Sequence, residues 1–400
     1  MLIVQKYGGT SVGNVERIDA VAQRVIESKK EGHDLVVVVS AMSGETNKLL
    51  DFAGFYSSTP NQREVDVLLS AGERVTSALL AIALEAKGYE AVSMSGRKAG
   101  IVTDDVHTKA RIEHIDTAAM KAALKTGKII VVAGFQGVTE NGEVTTLGRG
   151  GSDLSAVAIA GALEADLCEI YTDVDGVYTT DPRIEPKAKK LDKISYDEML
   201  ELASLGAKVL QSRSVEMAKK LNVNLVTRSS FNHNEGTLIT KEDNIMEQPL
   251  VSGIALDKNQ ARVTLRGVTD KPGIAAEIFK KLADCNVNVD MIIQNVGHDG
   301  TTNLGFTVPK NELEMTKAAM SELRASDVME YDSDIVKVSV VGVGMKSHSG
   351  VACKAFDTMA KEGINIEMIS TSEIKISMVI QAKYGELAVR ALHSAYQLDK

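Results

Sequence analysis

The stretch Leu2-Ile-Val-Gln-Lys6-Tyr-Gly-Gly-Thr-Ser11 decides how the first part of the chain folds. A short apolar strand runs directly into two adjacent glycines, and apolar residues at helical spacing follow between Asn14 and Glu31. Adjacent glycines let the backbone approach a ligand closely, and the free N–H groups at a helix start favour an anion. Such a turn is also common as a plain strand-to-helix connection, so a phosphate cradle is only one interpretation of it.

The same alternation of strand and helix continues for about 240 residues. Leu35-Val-Val-Val-Val39 is apolar without alternation, as expected for a strand that is covered on both faces. Further strands are predicted at Ile129–Ala133, Leu167–Thr172 and Asn224–Thr227, and further helices at Ser152–Leu163 and Asp197–Leu221. We therefore predict an α/β fold, with a mainly parallel sheet between layers of helices.

A polar, acidic stretch from Lys241 to Pro249 ends this pattern, and an internal repeat follows it. Arg262-Val-Thr-Leu-Arg-Gly-Val268 aligns with Lys337-Val-Ser-Val-Val-Gly-Val343, and later positions match as well, Asp290 with Glu367 among them. Each copy predicts a small α+β unit of the order βαββαβ. The predicted domains are residues 1–245, residues 262–335, and residues 250–261 together with 336–400.

Composition excludes several classes of protein. The 54 acidic residues outnumber the 45 basic ones, for a net charge of −9, and the chain has no Trp. A binder of nucleic acid needs a basic surface or a stacking platform, so no nucleic-acid partner is expected. The cysteines, Cys168, Cys285 and Cys353, show neither disulfide nor metal-site spacing. With no signal peptide and no long uninterrupted apolar run, we expect a cytoplasmic protein without a membrane partner.

A second glycine-rich motif, Gly148-Arg-Gly-Gly-Ser-Asp153, opens the predicted helix from Ser152. An arginine can grip a carboxylate with two parallel hydrogen bonds, and glycines at a helix start suit an anion. The alternative is that Asp153 merely complements the helix dipole. Three glycines weaken local structure without adding packing, which favours the functional interpretation.

A third motif, Tyr171-Thr-Asp-Val-Asp-Gly-Val-Tyr-Thr-Thr-Asp-Pro-Arg183, lies at the end of a predicted strand. It lacks the further acidic ligands of a calcium loop, so no metal site is predicted there. A polar loop at the carboxyl end of a parallel strand is instead a common place for a ligand.

Taken together, five segments resemble the aspartokinase family, and the tandem repeat resembles the paired ACT domains of that family. The segments are Lys6–Ser11, Ser40–Lys48, Ala71–Arg74, Thr146–Asp153 and Thr172–Tyr178. The resemblance implies an amino-acid-kinase α/β/α sandwich followed by two ACT domains. It also implies transfer of the γ-phosphoryl group of MgATP to the β-carboxylate of L-aspartate, the step that opens the route to lysine, threonine, methionine and diaminopimelate.

The resemblance also assigns residues to roles. The implied catalytic residues are Lys6, Asp153 and Arg149. The implied ATP site comprises Lys6, Tyr7, Gly8, Gly9, Thr172, Asp173, Tyr178, Arg183, Lys208 and Val209. The implied aspartate site comprises Ser40, Thr46, Glu73, Arg149, Gly150, Gly151 and Ser152, with Arg149 on the α-carboxylate and Glu73 on the α-ammonium. The implied effector site comprises Asp270, Lys271, Pro272, Gly273, Gln294, Asn295, Thr301, Thr302, Asn365 and Ile366.

Feedback inhibition follows from the same resemblance, with lysine as the expected inhibitor and threonine as a second candidate. Ser349 stands where the family usually has proline, which loosens the backbone at that turn. Pairing of ACT units predicts a homo-oligomer. Two alternatives stay open: another amino-acid kinase, acting on glutamate or acetylglutamate, and a non-catalytic amino-acid-sensing paralogue.

Overall fold

The structure is a computed structural model that describes residues 1–204, 209–242, 250–295, 300–321, 323, 328–348 and 350–400. The chain divides into two compact units. The first holds Met1–Val177, Lys190–Ala203 and the chain onward to the predicted boundary, and the second holds Tyr178–Lys189 and the C-terminal part. Residue 245, Lys208 and Ser349 lie outside the described residues.

Two sheets build the described part of the first unit. Its strands are β1 (Leu2–Tyr7), β2 (Asp34–Val39), β3 (Ala91–Met94), β4 (Ile101–Thr103), β5 (Ile112–Ile115), β6 (Ile129–Ala133), β7 (Gln136–Val138), β8 (Val144–Thr146), β9 (Leu167–Thr172), β10 (Lys193–Ser195), β11 (Leu225–Ser229) and β12 (Thr237–Thr240). The larger sheet has the order β10-β12-β11-β9-β1-β2-β6-β3 and is parallel except where β11 meets β12. The smaller sheet has the order β5-β4-β7-β8. The prediction of an α/β fold with a mainly parallel sheet is confirmed.

The helices of the first unit pack on these sheets. They are α1 (Val15–Lys30), α2 (Glu45–Tyr56), α3 (Gln62–Ala86), α4 (Ala118–Lys125), α5 (Gly151–Leu163), α6 (Tyr196–Ser204) and α7 (Ser212–Leu221). The single helix predicted over Asp197–Leu221 is wrong, because α6 ends at Ser204 and α7 starts anew at Ser212. Gln211 before α7 has extended backbone angles (φ −80°, ψ 135°), which a continuous helix does not allow.

Helix α3 is long and apolar enough, by length and composition alone, to cross a membrane. It therefore departs from the expectation that no segment would reach that threshold. The helix nevertheless buries polar side chains, including Asp66 and Glu73, and its Leu80 and Leu84 join the main apolar core of the unit. This is the pattern of a core helix of a globular unit.

One sheet runs through the described part of the second unit. Its strands are β13 (Gly253–Thr269), β14 (Ile292–Gln294), β15 (Thr301–Val308), β16 (Val328–Val341), β17 (Met368–Thr371) and β18 (Lys375–Gln381), and its helices are α8 (Ile274–Asp284), α9 (Leu313–Ser321), α10 (Val351–Lys361) and α11 (Gly385–Ala395). The strand order is β14-β15-β13-β16-β18-β17, with every neighbour antiparallel. Strand β13 runs through the predicted junction of residues 261 and 262, and β16 runs through that of 335 and 336. The two copies of the repeat therefore share their two central strands.

Ion pairs repeat the internal symmetry across the two copies. Arg262 of the first copy pairs with Glu367 of the second, with 2.5 Å between Nη1 and Oε2. Lys337 of the second copy pairs with Asp290 of the first. These are the positions that align in the repeat, so each copy supplies the cation for the other copy's acid. A separate apolar core lies under each copy.

Candidate active site

Lys6 lies at the carboxyl edge of the larger sheet, near the end of β1 and between β9 and β2. Its Nζ is 2.6 Å from Oδ1 of Asp153, and the two side chains are only 11% and 12% exposed. Asp153 lies in the first turn of α5, which begins at Gly151 within the second glycine-rich motif. The fold thus joins the first and second motifs in one buried ion pair, although about 150 residues separate them.

Close packing explains why glycine occurs in both glycine-rich turns. A Cβ on Gly9 would lie 3.0 Å from the carbonyl oxygen of Ala41, so the turn after β1 approaches the chain after β2 closely. Gly150 has φ +73°, and a Cβ there would clash with the side chain of Gln211. Both turns therefore expose backbone at the same edge of the sheet.

Glu73 enters this edge from α3. The side chain is buried, its Oε1 accepts a hydrogen bond of 3.1 Å from the Ala41 N–H, and its Oε2 has no hydrogen-bond partner in the described part of the chain. Burial raises the pKa of Glu73 to about 7. A buried carboxylate oxygen without a donor is a place where a cation would be stabilised.

Arg149 supplies the opposite charge. Its side chain is exposed, and among the described residues none forms an ion pair with it. The residue lies between two glycines of positive φ, Gly148 and Gly150. Its guanidinium is thus available for a carboxylate, with which it can make two hydrogen bonds.

These side chains surround one cavity of about 290 Å³. It is lined by Lys6, Gly9, Ser40, Ala41, Met42, Ser43, Gly44, Thr46, Glu73, Phe135, Arg149, Gly150, Gly151, Ser152 and Asp153. All seven residues implied for aspartate line it, and so do the three implied catalytic residues. Phe135 and the segment Ala41–Gly44 were missed as lining residues. Their position directly after β6 and β2, at the carboxyl edge of the sheet, is the signal that could have identified them.

The residues implied for ATP separate into groups. Gly8 lies beside the end of β9, because its N–H bonds to the Tyr171 carbonyl, and Thr172 and Asp173 follow at that strand end. The Thr172 hydroxyl bonds to the Asp173 carboxylate at 3.1 Å. Val209 is half-buried just ahead of α7, and Lys208 lies outside the described residues.

The side chain of Tyr7 does not lie where its implied role in the ATP site would place it. Its ring is fully buried and stacks on that of Tyr171, with 4.6 Å between the ring centres. Side chains alternate along a strand, so with Lys6 facing the cavity the neighbouring Tyr7 faces the core. Its side chain therefore belongs to the core, and only its backbone stays near the turn.

Tyr178 and Arg183 belong to the second compact unit. Arg183 is bound through two nitrogens by Asp181, and its side chain is 89% exposed. In the same segment the Thr179 hydroxyl hydrogen-bonds to Nε2 of His393 in α11, and the Thr179 carbonyl accepts from the Ile254 N–H. The segment that follows β9 is thereby attached to the second copy of the repeat.

The implied effector residues of the first copy come together at one end of its sheet. Asp270 donates its N–H to the Gly300 carbonyl at 2.9 Å, and Gly273 is the N-cap residue directly before α8. The Thr302 hydroxyl bonds to the Asn295 carbonyl. Lys271 and Pro272 complete the turn before α8, Gln294 ends β14, and Thr301 begins β15. Asn365 and Ile366 lie just before β17, the strand at the opposite edge of the sheet from β14.

Comparison with known proteins identifies the families of these domains. The model of the amino acid kinase family matches residues 1–228, and two ACT domain models match residues 263–327 and 338–396. The class is therefore an amino acid kinase domain followed by tandem ACT domains.

Individual relatives identify the family within this class. The chain is 64% identical to an aspartokinase of Helicobacter pylori, with both chains fully covered, and 57% identical to that of Pseudomonas aeruginosa, with 100% of this chain and 98% of the other covered. It is similar to the crystal structure of Escherichia coli aspartokinase III in complex with aspartate and ADP, with a TM-score of 0.82 and 26% identity over 99% of each chain. It is also similar to the lysine and aspartate complex of that enzyme, with a TM-score of 0.79 and 27% identity over 98% of this chain and 99% of the other. The chain belongs to the aspartokinase family.

Proposed function

We propose that the chain is an aspartate kinase, which transfers the γ-phosphoryl group of ATP to the β-carboxylate of L-aspartate. One observation carries the assignment of substrate. A buried carboxylate oxygen of Glu73 and the guanidinium of Arg149, with which no described residue forms an ion pair, line the same cavity. A free amino acid offers the ammonium and the α-carboxylate that would satisfy both, whereas an N-acylated amino acid lacks the ammonium.

The reaction needs charge neutralisation more than acid–base chemistry. A carboxylate with an ordinary pKa of about 3.9 is already ionised at neutral pH, so no general base is needed to activate it. The difficulty is that an anion must approach a polyanion in line. Lys6 lines the cavity, where its ammonium would offset the charge on the transferring phosphoryl group. Asp153 holds that ammonium in place through the 2.6 Å contact.

Magnesium is proposed to arrive with the nucleotide. Among the described residues no group of three or more His, Cys, Asp or Glu side chains could hold a metal. Mg²⁺ in kinases is bound mainly by phosphate oxygens and water, with one or two carboxylates. A site with few acidic side chains therefore fits an ion that ATP delivers. When bound, the ion would neutralise charge on the phosphates.

The substrate assignment is tested by measuring ADP formation with purified protein. Aspartate, glutamate, N-acetylaspartate and N-acetylglutamate are compared, and hydroxylamine traps any acyl phosphate. We expect turnover with aspartate and at least a hundredfold lower kcat/KM with the N-acetylated compounds. Efficient use of an N-acetylated substrate, or no turnover with aspartate, would refute the proposal.

The role of Lys6 is tested with Lys6→Met, for which we expect kcat to fall by about 10³ or more. Lys29→Met is the matched control, because Lys29 pairs with Asp34 in an exposed ion pair away from the cavity. A folded Lys6→Met protein that keeps near-normal turnover would remove Lys6 from the mechanism.

Feedback control is a further part of the proposal. Lysine is proposed to bind at the effector residues gathered around Asp270 and Thr302, with threonine as a second candidate. Equilibrium binding of each amino acid, combined with rate measurements, would decide between them, and no response to either would refute control by these two. A homo-oligomer, a cytoplasmic location and service to lysine, threonine, methionine and diaminopimelate synthesis stay predictions from the sequence.

A further inference from the structure

Asp66 is a buried carboxylate that lies outside the cavity and has no role in the chemistry described so far. It is fully buried on α3, seven residues before Glu73. Residues seven apart on a helix lie two turns apart on the same face. The question is what Asp66 holds in place.

Four hydrogen bonds end on its two oxygens. Oδ1 accepts from the Thr146 hydroxyl at 2.5 Å and from the Thr108 N–H at 3.0 Å. Oδ2 accepts from the Thr108 N–H at 3.1 Å and lies 2.7 Å from Nδ1 of His107. Because a carboxylate oxygen can only accept, Nδ1 carries the proton. We call Asp66, His107, Thr108 and Thr146 the Asp66 cluster.

The cluster joins two walls of the cavity that are distant in sequence. Helix α3 carries Glu73, whereas Thr146 ends β8, three residues before Arg149. The connecting chain is itself fixed, because the Thr146 carbonyl accepts from the Ala110 N–H and the Leu147 carbonyl accepts from Arg213. Any shift of β8 relative to α3 would therefore change the separation of the Arg149 guanidinium from the Glu73 carboxylate.

The backbone of Thr108 is held in an unfavourable conformation by the contacts around it. Thr108 has φ +67°, which is unfavourable for a β-branched residue. Such a conformation persists only where surrounding contacts overdetermine it. Here its N–H is directed at both oxygens of Asp66, so the carboxylate is one of the contacts that hold the loop, together with the Ala110–Thr146 backbone bond.

We propose that the Asp66 cluster is a positioning device for the amino-acid substrate: it sets the distance between the ammonium-binding Glu73 and the carboxylate-binding Arg149. None of its four residues lines the cavity, so it acts only through those two. The inference rests on the proposed function, since it takes a free amino acid as the substrate. It predicts a defect in recognition of aspartate that leaves ATP largely unaffected.

The experiment compares paired variants of the full chain. His107→Asn can keep a donor near the position of Nδ1, whereas His107→Ala removes it; Thr146→Ser keeps the hydroxyl, whereas Thr146→Val removes it. We expect His107→Ala and Thr146→Val to raise the KM for aspartate about tenfold while the KM for ATP changes less than twofold. The Asn and Ser variants should stay within about twofold of the parent for both substrates.

Glu198→Gln is the control for a merely structural effect. Glu198 is also buried and accepts from a backbone N–H and a hydroxyl of Ser195, but it does not line the cavity. The Glu198→Gln substitution should lower Tm without changing the KM for aspartate. If the Ala and Val variants lower only Tm, or raise both KM values together, the proposal is overturned. Aspartate-dependent turnover by the unsubstituted chain is measured first, so failure of the proposed function is seen separately.

Discussion

Helix α3 carries two buried carboxylates on one face, and the two regions around them are built in opposite ways. Asp66 has both oxygens satisfied by a histidine, a backbone N–H and a hydroxyl. Glu73 accepts from the Ala41 N–H through one oxygen, its other oxygen has no hydrogen-bond partner among the described residues, and burial raises its pKa to about 7. The difference separates a carboxylate that completes the fold from one whose missing partner is left for a ligand.

The strongest way to break this comparison is Glu73→Gln, which keeps the shape and removes the charge. We expect kcat/KM for aspartate to fall by about 10² to 10³, since a buried charge-assisted contact with the ammonium is lost. The KM for ATP should change little. Steady-state kinetics with both substrates varied provide the measurement, and an unchanged KM for aspartate would show that Glu73 does not meet the substrate.

The stability effects of the two carboxylates should have opposite signs. Glu73→Gln should raise the free energy of unfolding at pH 8 by up to roughly 3 kcal/mol, because the ligand-free protein then no longer holds an ionised group in a dry site. Asp66→Asn should lower it by about 2 kcal/mol, since the new amide N–H₂ faces a donor. Urea unfolding at pH 8 measures both values. Changes of the same sign would mean that the two sites do not differ as described.

The pH dependence follows from the raised pKa of Glu73. That pKa lies above its unfolded value of 4.5, so the native state holds the proton more tightly. Its stabilising contribution is fully present below about pH 4.5 and is lost as the pH rises through about 7. Binding has the opposite trend, because only the ionised form attracts an ammonium group. The KM for aspartate should therefore rise about tenfold per pH unit below 7, and Glu73→Gln should abolish this dependence over the same range.

The smallest expected effect concerns Thr108. Replacement by glycine keeps the N–H that binds Asp66 and relieves the positive φ, so the protein should become more stable by up to about 1 kcal/mol. The KM for aspartate should stay within twofold of the parent. Thermal unfolding checks the first expectation, and a marked loss of stability would show that the threonine side chain, rather than its backbone, matters here.

Local patterns predicted much of this molecule. The apolar run before Lys6 and the glycines before Asp153 were enough to place β1 and α5, because each signal is contained within a few residues. The break between α6 and α7 was missed, since apolar periodicity continued across it. The burial of Tyr7 could have been deduced from the alternation of side chains along β1.

The pairing of distant residues could not be predicted in the same way. The Lys6–Asp153 contact could be suggested by resemblance but not calculated from spacing, because it depends on which strands become neighbours. The Asp66 cluster combines residues 66, 107, 108 and 146, of which only Thr146 belongs to a recognised segment, Thr146–Asp153. Attachment of the Tyr178–Lys189 segment to the regulatory repeat depends on long-range contacts, such as that of Thr179 with His393, for which sequence spacing gives no signal.

The shared strands β13 and β16 also bear on how the regulatory unit comes apart. A slip of one residue in their pairing would turn the inward side chains of both copies outward at once, and it would separate Arg262 from Glu367 and Lys337 from Asp290 together. The outer ladders, β13 with β15 and β16 with β18, each belong to one copy, but both copies are built on the same two continuous strands, so the loss of one copy also weakens the strands that hold the other. In hydrogen–deuterium exchange, the central amides of the two copies should open as a single cooperative unit, with one common protection factor.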